Sequence, residues 1–202
     1  MLFYKVVRNT VKFLLHLIYR IEISGKENIP LEGKSIVCSN HFSLMDPVII
    51  GTCLRRKINY MAKEELFSNK IFASALNKLG VFPVKRGGAD VSAIKSALKI
   101  LRSGELLGIF PEGTRSKNGE MLEAKAGLAM IAIKSESPVI PVAIIANYKI
   151  FSKVKVIIGE PIDFSSYYGQ KVSTEEYQLL SQNVLNHIKN LIHEENTSVE
   201  KL

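Results

Sequence analysis

Short β-branched runs alternate with helical stretches along almost the whole chain, and this alternation limits the fold more than any other feature. Apolar runs at 20–24, 35–39, 58–62, 81–84, 106–110, 140–146 and 153–158 read as strands. Between and after them, 47–54, 69–79, 90–102, 125–135 and 174–195 carry helical patterning. The last helix opens on a capping box, Ser173 with Glu176, and Gly104 closes the helix that ends at 102. Strand–helix alternation predicts one α/β domain: a central sheet, mostly parallel or mixed, flanked by helices. In such a sheet, ligands gather beyond the carboxyl ends of the strands.

Three strand ends carry reactive or charged residues. The first is Asn40-His41-Phe42-Ser43-Leu44-Met45-Asp46-Pro47, where a histidine and a carboxylate lie five positions apart. On one helix they would point about 140° apart and could not meet, so the chain must turn between them. Pro47 suits a first helical position, which makes Asp46 the expected N-cap. One carboxylate oxygen would then cap the helix and the other would orient the imidazole. The second end is Val81-Phe82-Pro83-Val84-Lys85-Arg86-Gly87-Gly88, an apolar strand that stops at two cations. The third is Phe110-Pro111-Glu112-Gly113-Thr114-Arg115-Ser116. Arginine, hydroxyls and N–H groups beside glycine are what a phosphate monoester needs.

At 202 residues with a net charge of +8, the chain suits anionic partners. It shows no nucleic-acid recognition motif, and its four scattered histidines and two cysteines lack metal-ligand spacing, so no metal is expected. Cys38 and Cys53 read as free thiols of a reducing compartment. Residues 1–22 read as a separate amphipathic helix. Lys5, Arg8, Asn9, Lys12, His16 and Arg20 fall within an arc of about 120°, and apolar side chains fill the rest. No apolar run approaches the ~20 residues that span a bilayer. A helix lying in the membrane interface, its basic stripe toward anionic headgroups, is therefore expected. The domain proper would be 23–196, with 197–202 a frayed tail.

Four blocks together resemble the glycerolipid acyltransferases with an H-x4-D motif, the lysophosphatidate acyltransferase family. They are N-H-F-S-L-M-D-P (40–47), G-V-F-P-V-K-R (80–86), F-P-E-G-T-R-S (110–116) and V-I-P-V-A-I (139–144), in that order. The second departs most, with Lys85 where the family often has a bulkier hydrophobic or Asp residue. The resemblance implies acyl transfer from acyl-CoA or acyl carrier protein to the free hydroxyl of 1-acylglycerol 3-phosphate, giving phosphatidate, with no cofactor. It makes His41 the general base and Asp46 its orienting carboxylate. Arg86 and Arg115 would clamp the phosphate, with Lys85, Ser116 and the N–H groups of Gly113 and Thr114 beside them. Glu112 would orient Arg115 or bind the glycerol. Other acceptors (glycerol 3-phosphate, a lysophospholipid, a lyso-aminolipid) keep the same chemistry, and a non-catalytic lipid-surface protein would keep only the basic features. The expected location is the cytoplasmic face of the cell membrane, peripheral or monotopic.

Overall fold

The structure, a computed structural model, describes residues 2–85, 90–116 and 119–199. Seven strands form one sheet: β1 (Arg20–Ser24), β2 (Ser35–Ser39), β3 (Ile58–Lys63), β4 (Val81–Val84), β5 (Leu106–Ile109), β6 (Val139–Ala146) and β7 (Lys153–Ile158). Their order is β1-β7-β6-β2-β5-β3-β4, and every neighbouring pair is parallel except β6 with β7. The helices are α1 (Leu2–Ile18), α2 (Asp46–Cys53), α3 (Lys70–Lys78), α4 (Val91–Arg102), α5 (Gly127–Ser135) and α6 (Thr174–Val199). The expected single α/β domain is the observed one.

β2 lies at the centre, and all five of its residues are buried. A parallel strand covered on both faces has no solvent side, so Ile36, Val37 and Cys38 run apolar without alternation between two buried serines. Ile36 and Cys38 enter the core under α4, α5 and α6, with Leu101, Leu128 and Leu185. Val37 enters the core on the other face, with Leu15 of α1, Ile49 and Ile50 of α2, and Ile140 of β6. Each fully buried Leu or Ile contributes about 1.5–3 kcal/mol. The sheet is therefore a densely packed floor beneath the loop that follows β2.

Three departures from the expected boundaries bear on function. α1 stops at Ile18 because Arg20-Ile21-Glu22-Ile23-Ser24 alternates with period two and pairs with Lys153–Ile157 as an edge strand. The amphipathic segment therefore does not extend to 22. α6 continues to Val199, past the expected end of the domain. Asp46 is the first residue of α2 and not its cap: Met45 holds the cap position, with no side-chain cap bond. Asp46 points back into the preceding loop instead.

α1 packs one face on the domain. Tyr4 and Leu15 are buried, and Arg8 donates from Nη1 to the carbonyl of Arg55 at 2.8 Å, just past the end of α2. One member of the basic stripe thus faces the fold. Lys5, Asn9, Lys12 and His16 remain exposed, as do Leu2, Phe3, Val6, Phe13, Leu14 and Leu17 on the side away from the core. Among the described residues, no helix is long and apolar enough to cross a membrane.

Candidate active site

β2 ends at Ser39, and the next side chain fixes where the chain goes. Asn40 is fully buried; its amide donates to the carbonyl of Ile144 and accepts from the N–H of Ile144, both at 2.9 Å. This side chain extends the β2–β6 ladder past the last backbone rung and sets the start of the loop that carries His41.

That loop wraps around the Asp46 carboxylate. Oδ2 accepts from the N–H groups of Phe42 (2.8 Å) and Ser43 (2.7 Å) and sits 2.9 Å from Nδ1 of His41. Oδ1 accepts from the hydroxyl of Tyr148 at 2.5 Å. The carboxylate is 0% exposed. A charge so buried is tolerated only when several donors surround it. Once Nδ1 donates to Asp46, Nε2 is the ring nitrogen left to accept a proton.

The imidazole rests on an aromatic floor. Its ring stacks on Phe110 with centroids 4.0 Å apart and planes 18° apart, and Phe110 stacks in turn on Tyr60 at 5.9 Å. Adjacency of β2 and β5 brings Phe110 there. Gly108 admits Tyr60, because a Cβ at that position would lie 2.1 Å from the Tyr60 ring.

Backbone ties complete the positioning. Glu112 is 1% exposed; Oε1 accepts from the His41 N–H at 2.9 Å and Oε2 from the Leu122 N–H at 2.8 Å. Burial pushes its carboxyl above the ordinary glutamate value, against the lowering effect of those two bonds. Ser116 N–H donates to the His41 carbonyl at 2.9 Å. Both the N–H and the C=O of His41 are therefore held by the loop that follows β5.

Residues 20–145 match the family described as Acyltransferase. The chain belongs to that family. It is 37% identical over 165 residues to the 1-acyl-sn-glycerol-3-phosphate acyltransferase of Bacillus subtilis (strain 168), covering 79% of this chain and 82% of that one. A chloroplastic enzyme of the same name from Arabidopsis thaliana is 31% identical, over 71% of this chain and 44% of that longer protein. The crystal structure of the 1-acyl-sn-glycerophosphate acyltransferase PlsC of Thermotoga maritima superposes with a TM-score of 0.77 at 29% identity, covering 96% of this chain and 81% of that one.

Not every residue marked in the sequence reaches the centre of this acyltransferase. His41 and Asp46 meet as the turn requires. Thr114 and Arg115 are exposed on the loop whose end, Ser116, is tied to His41, and Ser116 itself is buried. Gly113 takes φ 69°, and its N–H donates to the carbonyl of Phe110 at 3.0 Å, so it closes a turn and is not available to a phosphate. Glu112 neither orients Arg115 nor faces solvent, since both of its oxygens serve backbone amides. Lys85 is exposed, 4.0 Å from Glu64. Its strand lies three positions from β2, about 14 Å at the usual strand spacing. Arg86 lies outside the described residues. Both cysteines are free; burial pushes the Cys53 thiol up to about 11 and the Cys38 thiol still higher. Among the described residues, no three His, Cys, Asp or Glu side chains gather where they could hold a metal.

Tyr148 is the participant that motif reading missed. It lies 102 residues from Asp46, two positions beyond the end of β6. The sequence carried one signal: a hydroxyl two positions past the end of the strand expected at 140–146. Burial and the neighbouring Asp46 push its phenol above its ordinary value, so it stays protonated and a donor at neutral pH.

Proposed function

We propose that this acyltransferase moves a fatty acyl group from an acyl thioester to the free hydroxyl of 1-acylglycerol 3-phosphate, giving phosphatidate, on the cytoplasmic face of the cell membrane. The observation that carries the reading is the His41 ring fixed between a buried carboxylate and an aromatic floor, with Nε2 left for a substrate. His41 Nε2 takes the proton of the acceptor hydroxyl as its oxygen attacks the thioester carbonyl. The tetrahedral intermediate collapses, the C–S bond breaks, and the imidazolium returns the proton to the departing thiolate. Asp46 stabilises the imidazolium that forms between these steps. No enzyme nucleophile is needed, and Ser43 is otherwise engaged: its hydroxyl accepts from the N–H of Met45 at 3.1 Å.

The acceptor's phosphate finds Arg115 and Thr114 on the loop tied to His41, with Arg86 as a second cation. The donor is acyl-CoA or acyl carrier protein, both anionic, which suits a chain of net charge +8. The exposed apolar face of α1, bordered by Lys5 and Lys12, supports lying in an anionic lipid interface. That position lets a lipid acceptor reach the dyad without leaving the bilayer. Labelled 1-acylglycerol 3-phosphate offered with each donor in turn should become phosphatidate. Loss of the general base in His41→Ala should cut turnover by about 10²–10⁴-fold. Turnover retained in that variant would overturn the base assignment. Acylation of glycerol 3-phosphate but not of the lysophosphatidate would overturn the acceptor.

A further inference from the structure

We propose that the turn 147–152, between β6 and β7, is a second lipid-contacting element that continues the outer face of α1 at the end of the sheet that holds the dyad. The proposal rests on the reading of α1 as membrane-facing, and its own observations are separate. Ile150 is 73% exposed and Phe151 69% exposed, side by side on one short turn. Two large apolar side chains thrust into water are unfavourable unless something covers them.

The turn is built to hold them out. Tyr148 and Phe151 both adopt left-handed backbone, φ 53° and 62°, a conformation uncommon for aromatic residues and costly without support. Support is present: Phe151 N–H donates to the carbonyl of Ile18 at 2.7 Å, Ser152 N–H to Lys149 at 3.0 Å, and Arg20 N–H to Ser152 at 3.0 Å. The chain could have tucked the phenyl ring onto the end of α1. It ties its backbone there instead and leaves the ring outside.

Three features point to a lipid surface as the occupant. The Phe151–Ile18 bond joins the turn to the end of α1, where Leu14, Leu17 and Ile18 are exposed, so the two apolar patches lie close together. Lys149, exposed beside Ile150, supplies the positive charge that anionic headgroups attract. β6 runs parallel to β2, so the turn leaves the sheet at the same end as the His41 loop. Tyr148, in this same turn, donates to Asp46. One six-residue segment thus touches the catalytic carboxylate with one side chain and faces outward with two others. An acceptor lipid meeting Ile150 and Phe151 would already be at the dyad's end of the fold.

The chain has no tryptophan, so a single one reports on its own site. Full-length Phe151→Trp and, separately, Phe13→Trp on α1 are mixed with phosphatidylglycerol/phosphatidylcholine vesicles whose acyl chains are brominated. Quenching and a blue shift of the Phe151→Trp emission are expected. In parallel, Ile150→Ser/Phe151→Ser should weaken vesicle binding about tenfold, since part of two large apolar side chains loses its cover. That variant should keep its activity on a short-chain, water-soluble lysophosphatidate. An unquenched Phe151→Trp beside a quenched Phe13→Trp overturns this inference and leaves α1 as the membrane element. If neither probe is quenched, both fall. Unchanged vesicle affinity in the double serine variant also overturns it.

Discussion

Replacing Tyr148 by Phe removes one hydroxyl and keeps the ring. The aromatic edge contact with Tyr19, centroids 5.9 Å apart, should survive, so the fold should lose little. Asp46 loses one of its four donors and keeps the N–H groups of Phe42 and Ser43 and the His41 ring. A hydrogen bond to a charged group contributes about 1.5–3 kcal/mol, and burial places this one toward the upper part of that range. The bond restrains the carboxylate whose orientation fixes the imidazole. Much of its loss should therefore appear in the barrier: at 1.36 kcal/mol per decade, kcat falls about 10- to 100-fold.

The KM for the acceptor should stay nearly constant, because the Tyr148 hydroxyl bonds to Asp46 and not to the exposed Thr114 and Arg115. Initial rates with lysophosphatidate and a fixed donor, taken for both proteins, would measure both quantities. An unchanged kcat would show that Tyr148 merely fills space.

Gly108→Ala places a Cβ 2.1 Å from the Tyr60 ring, so the ring must shift and carry Phe110 off the His41 imidazole. Overpacking of this kind costs about 1–3 kcal/mol, roughly 2–12 °C in melting temperature for a domain of this size, with kcat falling alongside. A wild-type melting temperature would refute it. For Glu112 the pH dependence of stability carries a sign. Its carboxyl is raised in the folded state, so the folded protein binds the proton more tightly than the unfolded chain. Wild type should therefore lose stability relative to the non-titrating Glu112→Gln as pH rises from about the ordinary glutamate value through the raised one. Melting curves from about pH 4 to 7 test this, and a margin that widens with pH would contradict it.

The strands were legible to within one residue, the inner ones by their short apolar runs and β1 and β7 by alternation with period two. The dyad was legible because five positions with a proline admit only a turn. The direction of Asp46 was not. Ahead of proline, an acidic residue suits either a cap or a first helical position, and the donors that decide between them, the N–H groups of Phe42 and Ser43 and the Tyr148 hydroxyl, appear only once the loop has closed. Glu112 was misread for a related reason. A glutamate beside a glycine and an arginine looks solvated, and only strand order reveals that β5 lies against β2, turning that glutamate inward to the His41 amide. Lys85 shows the converse: a cation read as facing a phosphate lies 4.0 Å from Glu64, just past the end of the neighbouring β3, and only strand order brings the two together.

The double tether on His41 has a consequence for selectivity. Its amide is bound by Glu112 and its carbonyl by Ser116, and the exposed stretch between those two residues presents Thr114 and Arg115. The residues that would greet the acceptor's headgroup and the residue that would activate its hydroxyl are thus geared through two hydrogen bonds. A headgroup that seats badly on Arg115 would tug the imidazole out of line, so a poor acceptor should be recognised by how slowly it turns over, even when it binds well.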